Sequence, residues 1–167
     1  MQIGSDRILE MLRRSYFAVD GLWFVMLEEA EGLERALEID ERVWRIMPKL
    51  QARKARELLG CTGDTLTDLV HCLALKFAAE GHTYHRRRPN PVQAEIVIEQ
   101  CPWRAVLERS GRTHLGPDIA DRICAAEAAG WAAEFGVDIE AELSEAICRG
   151  DDHCRLVFRR PSASATE

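Results

Sequence analysis

No run of this sequence is apolar for long enough to cross a bilayer, because the most apolar stretch, Tyr16 to Leu27, is short and interrupted by Asp20. The N-terminal region carries charge from Asp6 onward and lacks the pattern of a signal peptide, so a cytoplasmic location is expected and a membrane association is not. Positive charge is also in deficit: 22 Lys and Arg stand against 28 Asp and Glu, for a net charge of −6. That balance disfavours nonspecific contact with nucleic acid. One basic cluster, Arg86-Arg87-Arg88, runs into Pro-Asn-Pro and is expected to be a solvated loop rather than a phosphate site. Internal repeats are absent. No DNA-binding or ATPase segment is recognisable, so a sensing role is expected to require a separate partner.

What is present points to a globular unit. Of 167 residues, 47% are apolar and 30% charged, which suits one domain with a substantial core. The expected fold class is α+β: a helical half over residues 1–80 packed with an antiparallel-sheet half over 81–160, then a disordered tail at 161–167. Ile8, Leu9, Leu12, Tyr16 and Val19 recur at helical spacing behind Ser5 or Asp6, with a break expected at Asp20-Gly21. Leu33, Leu37, Trp44 and Met47 mark a second helix that should kink or stop at Pro48. A third is expected behind Asp64, through Leu66, Leu69, Val70, Leu73 and Phe77. Strands are predicted over His82 to Arg88 and Ala94 to Gln100, around Pro-Asn-Pro. Helices should then begin at Pro102 and Pro117, and a final hairpin should join Ile139–Cys148 to Cys154–Arg160.

The tip of that last hairpin reads ICRGDDHC. Six cysteines in a cytoplasmic chain are expected to be reduced, which points to metal binding or reactivity rather than a disulfide framework. Cys148 and Cys154 can present two thiolates to one ion, Glu145 lies on the incoming strand, and Cys124 lies on the preceding helix. Strict strand alternation opposes that grouping, since Glu145 and Cys148 then face opposite ways unless a bulge or turn intervenes. Spacing alone leaves three uses open: metal binding, inert burial, and redox or catalytic chemistry.

The run Cys124…Glu145-x-x-Cys148…Cys154, followed by Arg155-Leu156-Val157-Phe158, resembles the C-terminal signature of vinyl-reductase-like (4-vinyl reductase) domains. These include sensor domains of phenol-responsive transcriptional activators. The resemblance implies a zinc ion held by Cys124, Glu145, Cys148 and Cys154 beside a pocket for a small hydrocarbon or aromatic molecule, with iron as an alternative metal. A second resemblance rests on Tyr16-Phe17-Ala18-Val19-Asp20-Gly21-Leu22-Trp23-Phe24, Asp40-Glu41-Arg42-Val43-Trp44, Cys101-Pro102-Trp103 and Ile123-Cys124. These segments are similar to an uncharacterised family grouped with the L-2-amino-thiazoline-4-carboxylate hydrolases. It implies, as an alternative, a metal-dependent hydrolase that opens a small heterocycle or cleaves a C–N bond.

Further candidates come from the residues themselves. Cys101, at the end of a predicted strand, is a candidate nucleophile, or a ligand in place of Cys124 or Glu145; no His adjoins it in sequence to activate it. Glu127 follows Cys124 by one helical turn and is a candidate general base or ligand. His153 ranks below Glu145 as a ligand because it adjoins Cys154. Asp20 and Asp40 lie among apolar and aromatic residues, where a carboxylate either caps or edges a helix or reads a polar group of a ligand. Trp23, Trp44, Trp103 and Trp131 are core residues by default and pocket lining otherwise. A small apolar or heterocyclic molecule is the expected partner, and a homodimer is the default assembly.

Overall fold

The computed structural model describes residues 3–161. Three helices lead: α1 (Ser5–Glu31), α2 (Leu33–Leu59) and α3 (Leu66–Glu80). Helix α1 runs unbroken through Asp20-Gly21, since one glycine lowers helix stability by only about 1 kcal/mol relative to alanine, which packing on α2 offsets. Helix α2 likewise passes through Pro48, which is buried against Gly130; a Cβ on that glycine would lie 2.9 Å from the proline Cβ. The third helix is capped by Thr65 rather than Asp64. The Thr65 hydroxyl accepts from the Asp68 amide while the Asp68 carboxylate reaches back to Thr65, forming a reciprocal box. It ends at Gly81, whose φ of 85° few side chains tolerate. Over that end lies Arg13 of α1, donating to the Ala79 and Ala78 carbonyls at 2.9 and 3.2 Å.

Strands β1 (Thr83–Asn90) and β2 (Gln93–Gln100) form the first hairpin, and β3 (Glu140–Glu145) and β4 (Cys154–Arg159) the second. Pairing of β2 with β4 joins them into one antiparallel sheet of order β1-β2-β4-β3. Between the hairpins run α4 (Pro102–Arg109), α5 (Gly116–Asp118), a π-helical stretch (Ile119–Cys124) and α6 (Ala125–Ala133). The arrangement is α+β, with the helices leading and the sheet in the C-terminal half. The inner sheet face, including Ile96, Ile98, Leu156 and Phe158, packs on Leu69, Leu73 and Phe77 of α3 and on Trp131 of α6. Helix α1 buries no residue fully and leaves Met11, Leu12, Leu22 and Trp23 exposed. Among the described residues, no helix is long and apolar enough to cross a membrane. The tail expected to be disordered lies, from residue 162 on, outside the described residues.

Candidate functional site

The helices do not close fully on the sheet. Between α1, α2, α4 and the inner face of β2 and β4 lies a cavity of about 500 Å³, lined largely by apolar and aromatic side chains. Trp103 is the hub of its aromatic wall: its ring centre lies 4.5 Å from Phe17, 5.5 Å from Tyr16 and 5.5 Å from Trp44, each contact edge-on.

Four thiols, Cys101, Cys124, Cys148 and Cys154, line the same cavity. Local structure delivers each of them. Cys101 stands at the N-cap of α4, where the Trp103 and Arg104 amides face its sulfur. Cys124 ends the π-helical stretch, an irregularity that turns side chains out of the regular helical phase. Cys154 opens β4 opposite Ile98, and its sulfur accepts from the Ile147 amide at 3.3 Å. Cys148 lies in a single 3-10 turn, Ile147–Arg149, facing the Arg104 guanidinium. The polar loop holds that turn in place. Asp151 accepts from the Ala146 amide at 2.7 Å, Arg149 donates to the Leu143 carbonyl at 2.7 Å, and Gly150 takes the φ of 104° that the reversal requires. Burial raises all four thiol pKa values, that of Cys101 to about 12, so without a compensating cation they are neutral at physiological pH. A protonated Cys101 is a poor nucleophile.

Glu145 is not among them. A register shift between Leu143 and Glu145 leaves its carboxylate on the outer sheet face, bonded to Arg155 at 2.7 Å and His153 at 2.8 Å. The 3-10 turn then carries Cys148 inward, so glutamate and cysteine face opposite ways through the register shift and the turn rather than through regular alternation from Leu143. Among the described residues, no group of three or more His, Cys, Asp or Glu side chains stands at metal-binding spacing. The donor set around the cavity, four sulfurs, suits a thiophilic ion, and the thiols would have to turn toward one another to close on it.

Two further polar groups line the cavity. Lys76, buried on α3, pairs with Glu80 at 3.0 Å and with Glu127 at 2.7 Å. Burial opposes its charge, but the two carboxylates outweigh burial and raise its pKa. Glu80 also accepts from the Trp103 indole at 3.1 Å, tying the aromatic wall to the ion cluster. The second group is Asp20 of α1 with Asp40 of α2. Burial pushes Asp20 to about 6, while burial and the neighbouring Asp20 push Asp40 to about 7; Trp44 acts on both in the opposite direction.

Of the residues anticipated as pocket lining, Asp20, Asp40, Trp44 and Trp103 are there. Trp23 is 72% exposed, because the uninterrupted α1 places it with Val19 and Met26 on the solvent side. Trp131 is fully buried in the core between helices and sheet. Lys76 and Glu80 escaped the sequence reading, although both fall on the stripe Leu69, Leu73, Lys76, Glu80. Charges of opposite sign one turn apart on a core-facing stripe are the signal that could have found them. A close approach also guards the thiols: a Cβ on Gly116 would lie 2.6 Å from the Cys148 carbonyl oxygen. Gly116→Ala should therefore displace the Cys148 turn and destabilise the protein by about 1–2 kcal/mol in urea denaturation, with faster labelling of Cys148 by a thiol reagent.

A family of unknown function, DUF6125, matches residues 3–155. The chain belongs to that family. It is 30% identical over 171 residues to a tRNA-2-methylthio-N(6)-dimethylallyladenosine synthase of Thermobifida fusca, a match that covers 100% of this chain and 29% of the relative. Among solved structures, the fold is similar to trafficking protein particle complex subunit 3 from Naegleria fowleri, covalently bound to palmitic acid. That likeness has a TM-score of 0.59 at 15% identity and covers 95% of this chain and 98% of the subunit. The phenol-responsive sensory domain of the transcription activator PoxR, solved with phenol, gives a TM-score of 0.48 at 18% identity over 86% of this chain and 73% of that one.

Proposed function

We propose that this DUF6125 member is a small-molecule-binding domain of the vinyl-reductase-like type, taking an apolar or aromatic ligand into its cavity beside a thiolate-held metal. The observation that carries this reading is the apolar cavity of about 500 Å³ with four cysteines in its wall. Zinc is the first choice of metal and iron the second, on thiolate preference. Cys101, Cys124, Cys148 and Cys154 would hold it, with Cys101 in the place first expected for Glu145. The metal would neutralise buried thiolates and link α4, the π-helical stretch and the second hairpin, a structural role.

Elemental analysis of anaerobically purified protein tests the assignment. About one zinc per chain is expected. Cys101→Ser should lower the metal content and, in protein reloaded with cobalt, remove intensity from the thiolate-to-cobalt absorption. Glu145→Gln should leave both as they are. Loss of metal in Glu145→Gln with retention in Cys101→Ser would instead return the ligand set to Cys124, Glu145, Cys148 and Cys154. Wild-type protein without metal would remove the ion from the proposal.

The hydrolase alternative needs a free proton carrier near the ion, and Glu127, the candidate, is held by Lys76 at 2.7 Å. Binding is the better-supported role. The tRNA-modifying activity in the curated relative's name is left with that protein, of which this chain spans 29%. A homodimer belongs to the proposal, supported by the exposed apolar residues of α1, among them Met11, Leu12, Leu22 and Trp23.

A further inference from the structure

The cavity's charges do not balance. Its two cations are already matched: Lys76 by Glu80 and Glu127, and Arg112 by Glu28. Asp20 and Asp40 make no ion pair among the described residues, although both line the cavity and the Asp20 charge adds to the cost of ionising Asp40. A second polar group in the wall is also unmatched. The His82 side chain is 2% exposed, and its Nδ1 is buried without a hydrogen-bond partner, the Glu80 carboxylate lying 3.7 Å away, beyond bonding distance. Burial first and the Lys76 charge second lower its pKa to about 3, so the ring is neutral and offers no competing cation. Buried polar groups without partners are uncommon in folded proteins, and this one lies in the cavity wall.

We infer that the cavity selects ligands carrying a protonated amine on an apolar body, with the amine received by Asp20 and Asp40 beside the Trp44 ring. The inference rests on the proposed ligand-binding role of the cavity and narrows it. An anionic ligand would meet two carboxylates with no spare cation. A bare metal ion would find two carboxyl groups and then aromatic wall. An organic ammonium group fits this wall, since the two carboxylates accept its N–H bonds while its apolar body packs on the aromatic side chains. The apolar remainder would fill the space bounded by Phe17, Trp103, Ile98 and Leu156.

The test compares two probes of equal shape, 1-naphthylmethylamine and 1-naphthalenemethanol, titrated into the full chain at pH 8 and followed by calorimetry and tryptophan fluorescence. The amine should bind about tenfold more tightly than the alcohol, and the difference should shrink to about twofold in Asp20→Asn/Asp40→Asn. Cooperative urea unfolding of the double variant reports that its fold is intact. Equal or tighter binding of the alcohol by wild-type protein overturns the inference and leaves the cavity's binding role standing. A preference that survives in the folded double variant also overturns it. If neither probe binds, the ligand-binding role falls and the inference falls with it.

Discussion

Lys76→Met should destabilise the protein by about 3–5 kcal/mol near neutral pH. The ammonium is buried, and it is the counter-charge within bonding distance of both Glu80 and Glu127, at 3.0 and 2.7 Å. Methionine matches its volume but leaves two carboxylates in a low-dielectric interior, and an orphaned buried charge is far worse than none. Glu80 is the more exposed to this loss: burial already raises its pKa, and Lys76 is the largest influence holding it down. Without the lysine the native state retains protons that the unfolded chain has released. The deficit should therefore be greatest at pH 7–8 and shrink as the medium is acidified toward pH 5. Adding Glu80→Gln and Glu127→Gln to Lys76→Met should recover most of the loss, since replacing a whole buried ionic group is often nearly neutral. Urea denaturation followed by tryptophan fluorescence reads all of these variants. A loss below about 1 kcal/mol for the single variant would mean that water reaches the cluster.

Asp40→Asn should stabilise the protein at pH 8 by about 2–3 kcal/mol and have little effect at pH 4. The sign follows from the native pKa of about 7, set first by burial and then by Asp20, against an ordinary value of 3.8. Between those values the native protein holds a proton that the unfolded chain does not, so wild-type stability falls as pH rises through the window. Below it both states are protonated and the penalty vanishes; above it the penalty is fully present. Asparagine never ionises and skips it. Asp20, at about 6, slopes the same way, while His82, lowered to about 3 and buried neutral, slopes the other way between that value and its ordinary 6.5. The difference between wild type and Asp40→Asn cancels the His82 contribution, which makes the difference the proper readout. A gain that is the same at pH 4 and pH 8 would show that desolvation of this carboxylate is not the cause. A gain confined to the higher pH marks the two aspartates as a functional cost: a site held at the expense of stability until a cationic ligand matches its charge.

Helix and strand placement was legible because it depends on local periodicity. The apolar spacing of α3, the Pro102 start of α4 and the two hairpins all lie close to where residue pattern places them. The breaks expected at Asp20-Gly21 and Pro48 did not occur, because packing on neighbouring helices outweighs the local preference of one glycine or one proline. Strand alternation set Glu145 opposite Cys148 and the family resemblance placed the two together; in the structure they are separated by the register shift at Leu143–Glu145 and the turn at Ile147–Arg149.

The sequence by itself determined that this is an acidic α+β protein with two cysteines, Cys148 and Cys154, flanking a hairpin tip, since composition and short-range spacing suffice for that. Which residues meet was decided by tertiary structure alone. Cys101 joins Cys124, Cys148 and Cys154 through the pairing of β2 with β4 and the turn at Ile147–Arg149, which span more than forty residues. Lys76 finds Glu127, and Asp20 finds Asp40, only when separate helices close around one cavity. Charge balance in an interior is a property of neighbours in space. The matched lysine and the unmatched aspartates therefore became visible only in the fold.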